Sequence, residues 1–248
     1  MSRLKYLSKP QQEVVPLFDG KFTENKPIPF PDRSGSQGYS NLFYWAHLVA
    51  DETGEFPLHP HEGFEIMTFV FKGSLEHYDT ATKVWTPLQE GGVQVIQAGS
   101  GVKHAERITK GTELFQIWFD PDFSKSLKEP AGYQDYKKDA FEEKRVNEAE
   151  VLQYLGGGGP VTHVTENINI KKMRFTKGKF HLDLDEMAMY SMYLLEGRVE
   201  LDSQKMTKDG FVVAEEMNGL DIKVEDEAEL FIIQSPSHVE YQRFIDRY

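Results

Sequence analysis

Two short stretches hold side chains whose types and spacing could do chemistry: His59-Pro60-His61-Glu62-Gly63-Phe64-Glu65 and Ala98-Gly99-Ser100-Gly101-Val102-Lys103-His104-Ala105-Glu106. In an extended strand alternate side chains share a face, so His59 pairs with His61 and His104 with Glu106. Two such pairs can meet on one metal ion. Neutral imidazole nitrogen with one carboxylate oxygen suits iron, manganese, nickel, copper or zinc, and leaves positions open for water or substrate. A closed structural zinc site would normally recruit cysteine, and the chain has none. Glu65 and Glu106 both satisfy strand parity as the carboxylate donor. For a lone His-x-His, separate packing of each ring would be the simpler account. Two such pairs with glycine-bearing turns beside them favour a shared ion.

These pairs must be held at strand ends. Ile66 to Phe71 is β-branched and aromatic, and Gly99 and Gly101 offer a tight turn before His104. Short strands recur at Ile66 to Lys72, Ser74 to Asp79, Val84 to Leu88, Val93 to Ala98, His104 to Thr109 and Glu113 to Phe119. Regular short strands between turn signals argue for a sandwich or barrel. Asn41 to Ala50 reads as a buried element containing a packed His47, and Lys26 to Gly38 as a loop. His77 takes a structural role, and Trp85 and Trp118 are core or rim aromatics. Residues 123–150 are Lys/Glu-rich and broken by Pro130 and Gly132, as expected of a linker with one helical turn. Asn147 with Glu150 resembles a helix cap, while Val151 to Leu155 equally suits a strand. Gly156 to Gly159 reads as a turn.

At the histidine pairs the chain resembles the cupins, and within them the pirin family. His59-x-His61-x-x-x-Glu65 followed by Gly73 is similar to the first cupin motif, and Gly92 followed by Gly99-Ser100-Gly101-x-x-His104 to the second. The longer strings His-Pro-His-x-Gly-Phe-Glu and Ala-Gly-Ser-Gly-x-x-His-x-Glu look like the pirin versions, and residues 40–120 carry most of the likeness. The resemblance implies an all-β bicupin, with iron held by His59, His61, His104 and Glu106. It also implies dioxygenation of the flavonol quercetin, as in several relatives. It selects Glu106 over Glu65 as the carboxylate ligand and leaves Glu65 as a supporting group or a base.

The second half repeats the strand pattern of the first. Met192 to Glu200 echoes Thr68 to Glu76, Gly210-Phe211-Val212-Val213 echoes Gly92-Val93-Gln94-Val95, and Glu229 to Ile233 echoes Glu113 to Ile117. The expected fold is therefore two cupin-like, jelly-roll antiparallel β-barrels in tandem. Their expected bounds are 1–122 with the metal, 123–150 as linker, and 151–248 without metal ligands. Counting back from Gly197 as from Gly73, Asp183 and Asp185 fall where His59 and His61 stand, and no second pair accompanies them. His163, His181 and His238 are scattered and take no role.

A length of 248 residues allows either one large β domain or two of ordinary size. A net charge of −12 opposes direct binding to nucleic acid or anionic membrane. The absence of cysteine agrees with a reducing compartment, and the N-terminus lacks an apolar signal core, so a cytoplasmic monomer is expected. The leading functional expectation is a metal-dependent dioxygenase of a small planar aromatic, flavonol-like substrate, with Glu106 or Glu65 as base. It would hold one divalent ion, Fe(II) first and Zn, Mn, Ni or Cu otherwise. The runner-up is a non-enzymatic, metal-dependent regulator that binds a protein partner. A plain barrel pair binding zinc or no ion is the third.

Overall fold

The computed structural model describes residues 4–31 and 38–247. Residues 32–37 of the expected loop lie outside the described residues. The strands of the first half are β1 (Leu4–Leu7), β2 (Glu13–Leu17), β3 (Phe22–Ile28), β4 (Leu42–Ala50), β5 (Gly54–His61), β6 (Glu65–Lys72), β7 (Ser74–Asp79), β8 (Trp85–Gln89), β9 (Val93–Gln97), β10 (Val102–Ile108), β11 (Glu113–Phe119) and β12 (Gly132–Tyr136). Those of the second are β13 (Glu143–Val146), β14 (Ala149–Leu155), β15 (Asn169–Phe175), β16 (Gly178–Asp183), β17 (Ala188–Leu201), β18 (Gln204–Thr207), β19 (Phe211–Glu215) and β20 (Gly219–Pro236). A single-turn helix, α1 (Phe123–Ser126), starts at Asp122, whose side chain accepts from the Ser124 N–H. All ladders are antiparallel, and the fold is two cupin-like β units in tandem.

The N-unit comprises Glu13–Ala140, His163–Glu166 and Val239–Tyr248, and the C-unit Met1–Gln12, Phe141–Thr162 and Asn167–His238. The exchange of short segments departs from a simple cut between residues 122 and 150. Strand β1 completes the edge beside β19, and the carboxylate of Glu65 holds Val164 and Thr165. Both attachments are long-range pairings that local pattern does not announce.

The N-unit has a seven-stranded sheet in the order β12-β9-β6-β11-β4-β3-β2 and a four-stranded sheet in the order β5-β10-β7-β8. Alternation sorts the side chains of β6: Ile66 and Val70 enter the interior clusters with Thr68 between them, so Glu65, Met67 and Phe69 face the other way. One interior cluster gathers Phe22, Leu48, Val70, Leu75, Leu88, Ile108 and Leu114. The other gathers Tyr44, Ala46, Phe64, Ile66, Ile96 and Phe123.

The C-unit is one nine-stranded sheet, β1-β19-β17-β20-β15-β14-β13, with β16 on β20 and β18 on β17. Its ladders repeat those of the N-unit. Strand β17 does the work of β6 and β7, and β20 that of β10 and β11; β16 answers β5, β18 answers β8 and β19 answers β9. Gly73 and Gly197 mark the shared bend, with φ of +77° and +85°. A Cβ on Gly197 would sit 2.0 Å from the Glu227 carbonyl oxygen, so only glycine fits.

Between residues 123 and 150 the structure has more order than a linker, since β12 pairs with β9 and β13 with β14. Asn147 and Glu148 both have positive φ and form a hairpin turn into β14, which settles the strand reading over the helix cap. Lys26 to Ile28 belong to β3 rather than to a loop. Among the described residues, no helix is long and apolar enough to cross a membrane.

Candidate metal centre

Strand β5 is the edge of its sheet, which explains how it tolerates Pro57 and Pro60, since an edge strand can spare the N–H groups that proline lacks. In its ladder with β10, His59 stands opposite His104 and His61 opposite Val102. Direct partners share a face, so the three imidazoles converge. Their ring centroids lie 4.3 to 4.9 Å apart, and one nitrogen from each falls within 4.8 Å of the others.

The protonation states suit a cation. Nδ1 of His59 lies 2.8 Å from the carbonyl oxygen of Pro57, which can only accept, so the ring donates there and Nε2 is the nitrogen left to face a ligand. Burial, helped by His59, pushes His61 down to about 4. Burial together with His59, His61 and His77 pushes His104 down to about 2. Nε2 of His61 and both ring nitrogens of His104 are buried without a protein partner. Neutral rings with unclaimed lone pairs are what a divalent ion requires, and orphaned nitrogens at this depth call for a ligand. The residues present fit a metal.

Glu106 stands two residues beyond His104, 3% exposed, and its Oε1 accepts from Nε2 of Gln116 at 3.1 Å. Burial lifts its carboxyl to about 7, against the opposing pull of that hydrogen bond. A register shift on the β5 side between His104 and Glu106 sets it one row deeper than the imidazoles, opposite His77. It is outside the group of three that converges within 4.8 Å.

Residues 29–119 match the pirin family. The chain is 34% identical over 123 residues to a Vibrio cholerae protein provisionally named quercetin 2,3-dioxygenase, a stretch covering 48% of this chain and 43% of that one. It is 36% identical over 89 residues to the quercetin 2,3-dioxygenase of Escherichia coli K12, covering 34% of this chain and 38% of the relative. Residues 29–119 thus form a pirin-like stretch within the chain. The matched stretches span less than half the length of these curated relatives. Two solved structures share the fold. A bacterial pirin from Escherichia coli in complex with nickel(II) has a TM-score of 0.78 at 17% identity, over 95% of this chain and 100% of that chain. A quercetin 2,3-dioxygenase from Acinetobacter baumannii has a TM-score of 0.80 at 20% identity, over 94% and 86%.

The other glutamate goes elsewhere. Glu65 is fully buried on the face of β6 opposite Ile66, where its carboxylate accepts from the N–H of Val164 at 2.9 Å and from the N–H and hydroxyl of Thr165 at 3.0 and 2.6 Å. Gln97 adds a longer contact at 3.4 Å. With these donors engaged, Glu65 anchors residues 163–166 and is not brought to the imidazoles.

Three side chains border the triad: His77 and Trp118, which the sequence marks as a structural histidine and a core or rim aromatic, and Gln116, which it does not mark. His77 is fully buried with its ring 5.4 Å from that of His104. Gln116 holds Glu106, and its own carbonyl accepts from the indole N–H of Trp118, whose ring meets His61 edge-on at 4.7 Å. Because an indole N–H only donates, the Gln116 oxygen must face it and the amide NH₂ must face Glu106. The signal available was a polar residue amid the apolar run Leu114-Phe115-Gln116-Ile117-Trp118. Trp85 lies outside this wall and carries the Arg107 guanidinium 3.9 Å above its ring. His47 packs edge-on against Phe115. His163 and His181 bond Thr165 and Asp221, away from the triad.

Proposed function

We propose that the chain is a metal-dependent dioxygenase acting on a flavonol of the quercetin type. The observation that carries this reading is the convergence of three imidazoles beside an aromatic wall. His59, His61 and His104, with Glu106 as the carboxylate ligand, would hold one divalent ion, with Fe(II) as first choice and Ni, Mn, Cu or Zn otherwise. That ion would supply Lewis-acid and redox activation to a substrate oxygen and O₂.

The rest is work for the protein. Pro60, His61, Glu62, Gly101 and Lys103 line an open cleft of about 800 Å³, through which a ligand reaches the triad from solvent. Trp118, backed by the buried rings of Tyr44 at 5.2 Å and Phe43 at 6.4 Å between centroids, is the partly exposed aromatic that would meet a planar ring system. Glu106, with its carboxyl near neutrality, is suited to take the hydroxyl proton of a polyphenol. A second cavity, of about 540 Å³ and bordered by Phe64, Lys125 and Glu166, includes none of the imidazoles.

The deciding experiment is metal analysis of protein purified without added metal, paired with oxygen uptake on quercetin. Near-stoichiometric metal with quercetin-dependent uptake supports the reading. A metal-replete sample that consumes no oxygen overturns it in favour of a regulator that binds a protein partner, and a sample with no metal overturns both.

A further inference from the structure

Behind the imidazoles, one layer of the N-unit interior carries a run of polar side chains, bounded by Ala46 beside Gln116 and Phe56 beside Glu106. Across the seven-stranded sheet Gln116 pairs with Thr68, Thr68 with Gln94, and Gln94 with Asp135, and direct partners share a face. Across the four-stranded sheet Glu106 pairs with His77 and His77 with Thr86. The two rows meet at one end, where Gln116 donates to Glu106 at 3.1 Å; at the far end Asp135 accepts from Nε2 of Gln94 at 2.7 Å, and the Thr86 hydroxyl donates to the His77 carbonyl at 3.4 Å. The next layer inward gathers Leu48, Val70, Leu75, Leu88, Ile108 and Leu114.

The middle of this layer is unsatisfied. Thr68, Gln94 and His77 are 1%, 0% and 0% exposed. Yet Oγ1 of Thr68, Oε1 of Gln94 and both ring nitrogens of His77 have no hydrogen-bond partner in the protein, the Asp79 carboxylate lying 4.0 Å from His77 Nδ1. Four orphaned polar atoms in one layer are far from the norm for a folded interior, where such groups are paired with protein or with ordered water. Water fits the set. A neutral His77 needs both a donor and an acceptor, Gln94 Oε1 needs a donor, and the threonine hydroxyl takes either role. The layer also has a wet end, because Asp135 lies on the edge strand β12 and is exposed.

We infer that this layer is a built hydration site, in which ordered waters bridge Thr68, Gln94 and His77 and brace His104 and Glu106 from behind. Buried waters of this kind make about three hydrogen bonds each and are costly to remove. The bracing runs through two contacts: the His77 ring lies against His104, and Gln116, the row partner of Thr68, holds Glu106. Thr68, Gln94 and His77 are thereby positioning residues. This second role rests on the metal reading of the same site, whereas the hydration itself does not.

The test keeps the two apart. In metal-free wild-type protein, water-proton magnetic relaxation dispersion and a high-resolution crystal structure should show long-lived waters within hydrogen-bond distance of Thr68 Oγ1, Gln94 Oε1 and a ring nitrogen of His77. The double variant Thr68→Val with Gln94→Leu should lose them while far-UV circular dichroism stays native. Nitrogen-15 spectra should then show a changed tautomer balance at His104. For nickel(II), measured against a competing chelator, the variant's Kd should rise about tenfold or more, the usual cost of disturbing a ligand's supporting partner. Thr68→Ser, which keeps the hydroxyl, should restore the waters and the affinity. A dry layer in the wild type overturns the proposal outright, even if the double variant does not fold. Waters present, with His104 tautomers unchanged and nickel affinity within twofold, overturn the bracing role. If the wild type binds no nickel, the metal reading fails, and the relaxation and tautomer measurements still decide this one.

Discussion

Metal-free protein should carry a pH-dependent penalty located at Glu106, and replacing that residue by glutamine should remove it. The folded protein lifts this carboxyl from 4.5 to about 7, chiefly by burial, so between those pH values the folded state holds a proton that the unfolded chain has released. Stability from this group is therefore complete below pH 4.5 and is lost as pH rises through about 7. At about 1.4 kcal/mol for each pH unit, the loss amounts to about 3 kcal/mol. His61 and His77, pushed down to about 4, act in the opposite sense and add stability as pH rises from about 4 towards 6.5, so the wild-type profile alone mixes the two. Their effect is common to wild type and Glu106→Gln and cancels in the difference. Glutamine keeps the shape of the neutral acid. Urea unfolding in the presence of a chelator, at intervals from pH 4.5 to pH 8, should show Glu106→Gln gaining about 3 kcal/mol on wild type across that range. A difference that stays flat to within about 1 kcal/mol would refute a buried, uncompensated carboxyl at this position.

Three further outcomes can be checked. His59→Ala combined with His104→Ala should abolish metal content in elemental analysis while far-UV circular dichroism stays native; a full equivalent of tightly held metal would sink the ligand assignment. Glu106→Gln should lose metal to a chelator faster than Glu65→Gln, whereas Glu65→Gln should cost about 2–3 kcal/mol of stability by orphaning donors at Val164 and Thr165; leaching in the opposite order would reverse the two roles. Gly197→Ala should lower unfolding free energy by about 2 kcal/mol or more, through its positive φ and the contact with Glu227, and a neutral result would mean that the bend relaxes freely.

Much of the chemistry was legible in order along the chain. Period-2 spacing put His59 with His61, and the glycine turn before His104 put a second strand end within reach, because both signals are local consequences of the pleat. The tandem repeat was legible for the same reason, down to Gly73 and Gly197, which serve one bend in both units. What local pattern leaves open is which face of a strand ends up inside and what lies across the interior from it. Glu65 and Glu106 have equal parity claims on the metal. Only the packing of Ile66 into the core turned Glu65 away, towards Thr165, a residue 100 positions later. Strand β12 escaped notice because Gly132-Tyr133-Gln134-Asp135-Tyr136 carries no apolar alternation, and it exists by completing the ladder beside β9. The polar layer of Gln116, Thr68, Gln94, Glu106 and His77 is likewise a product of register between distant strands. Each residue alone is one polar side chain in an apolar run, and their common depth is set by which backbone partners hydrogen-bond.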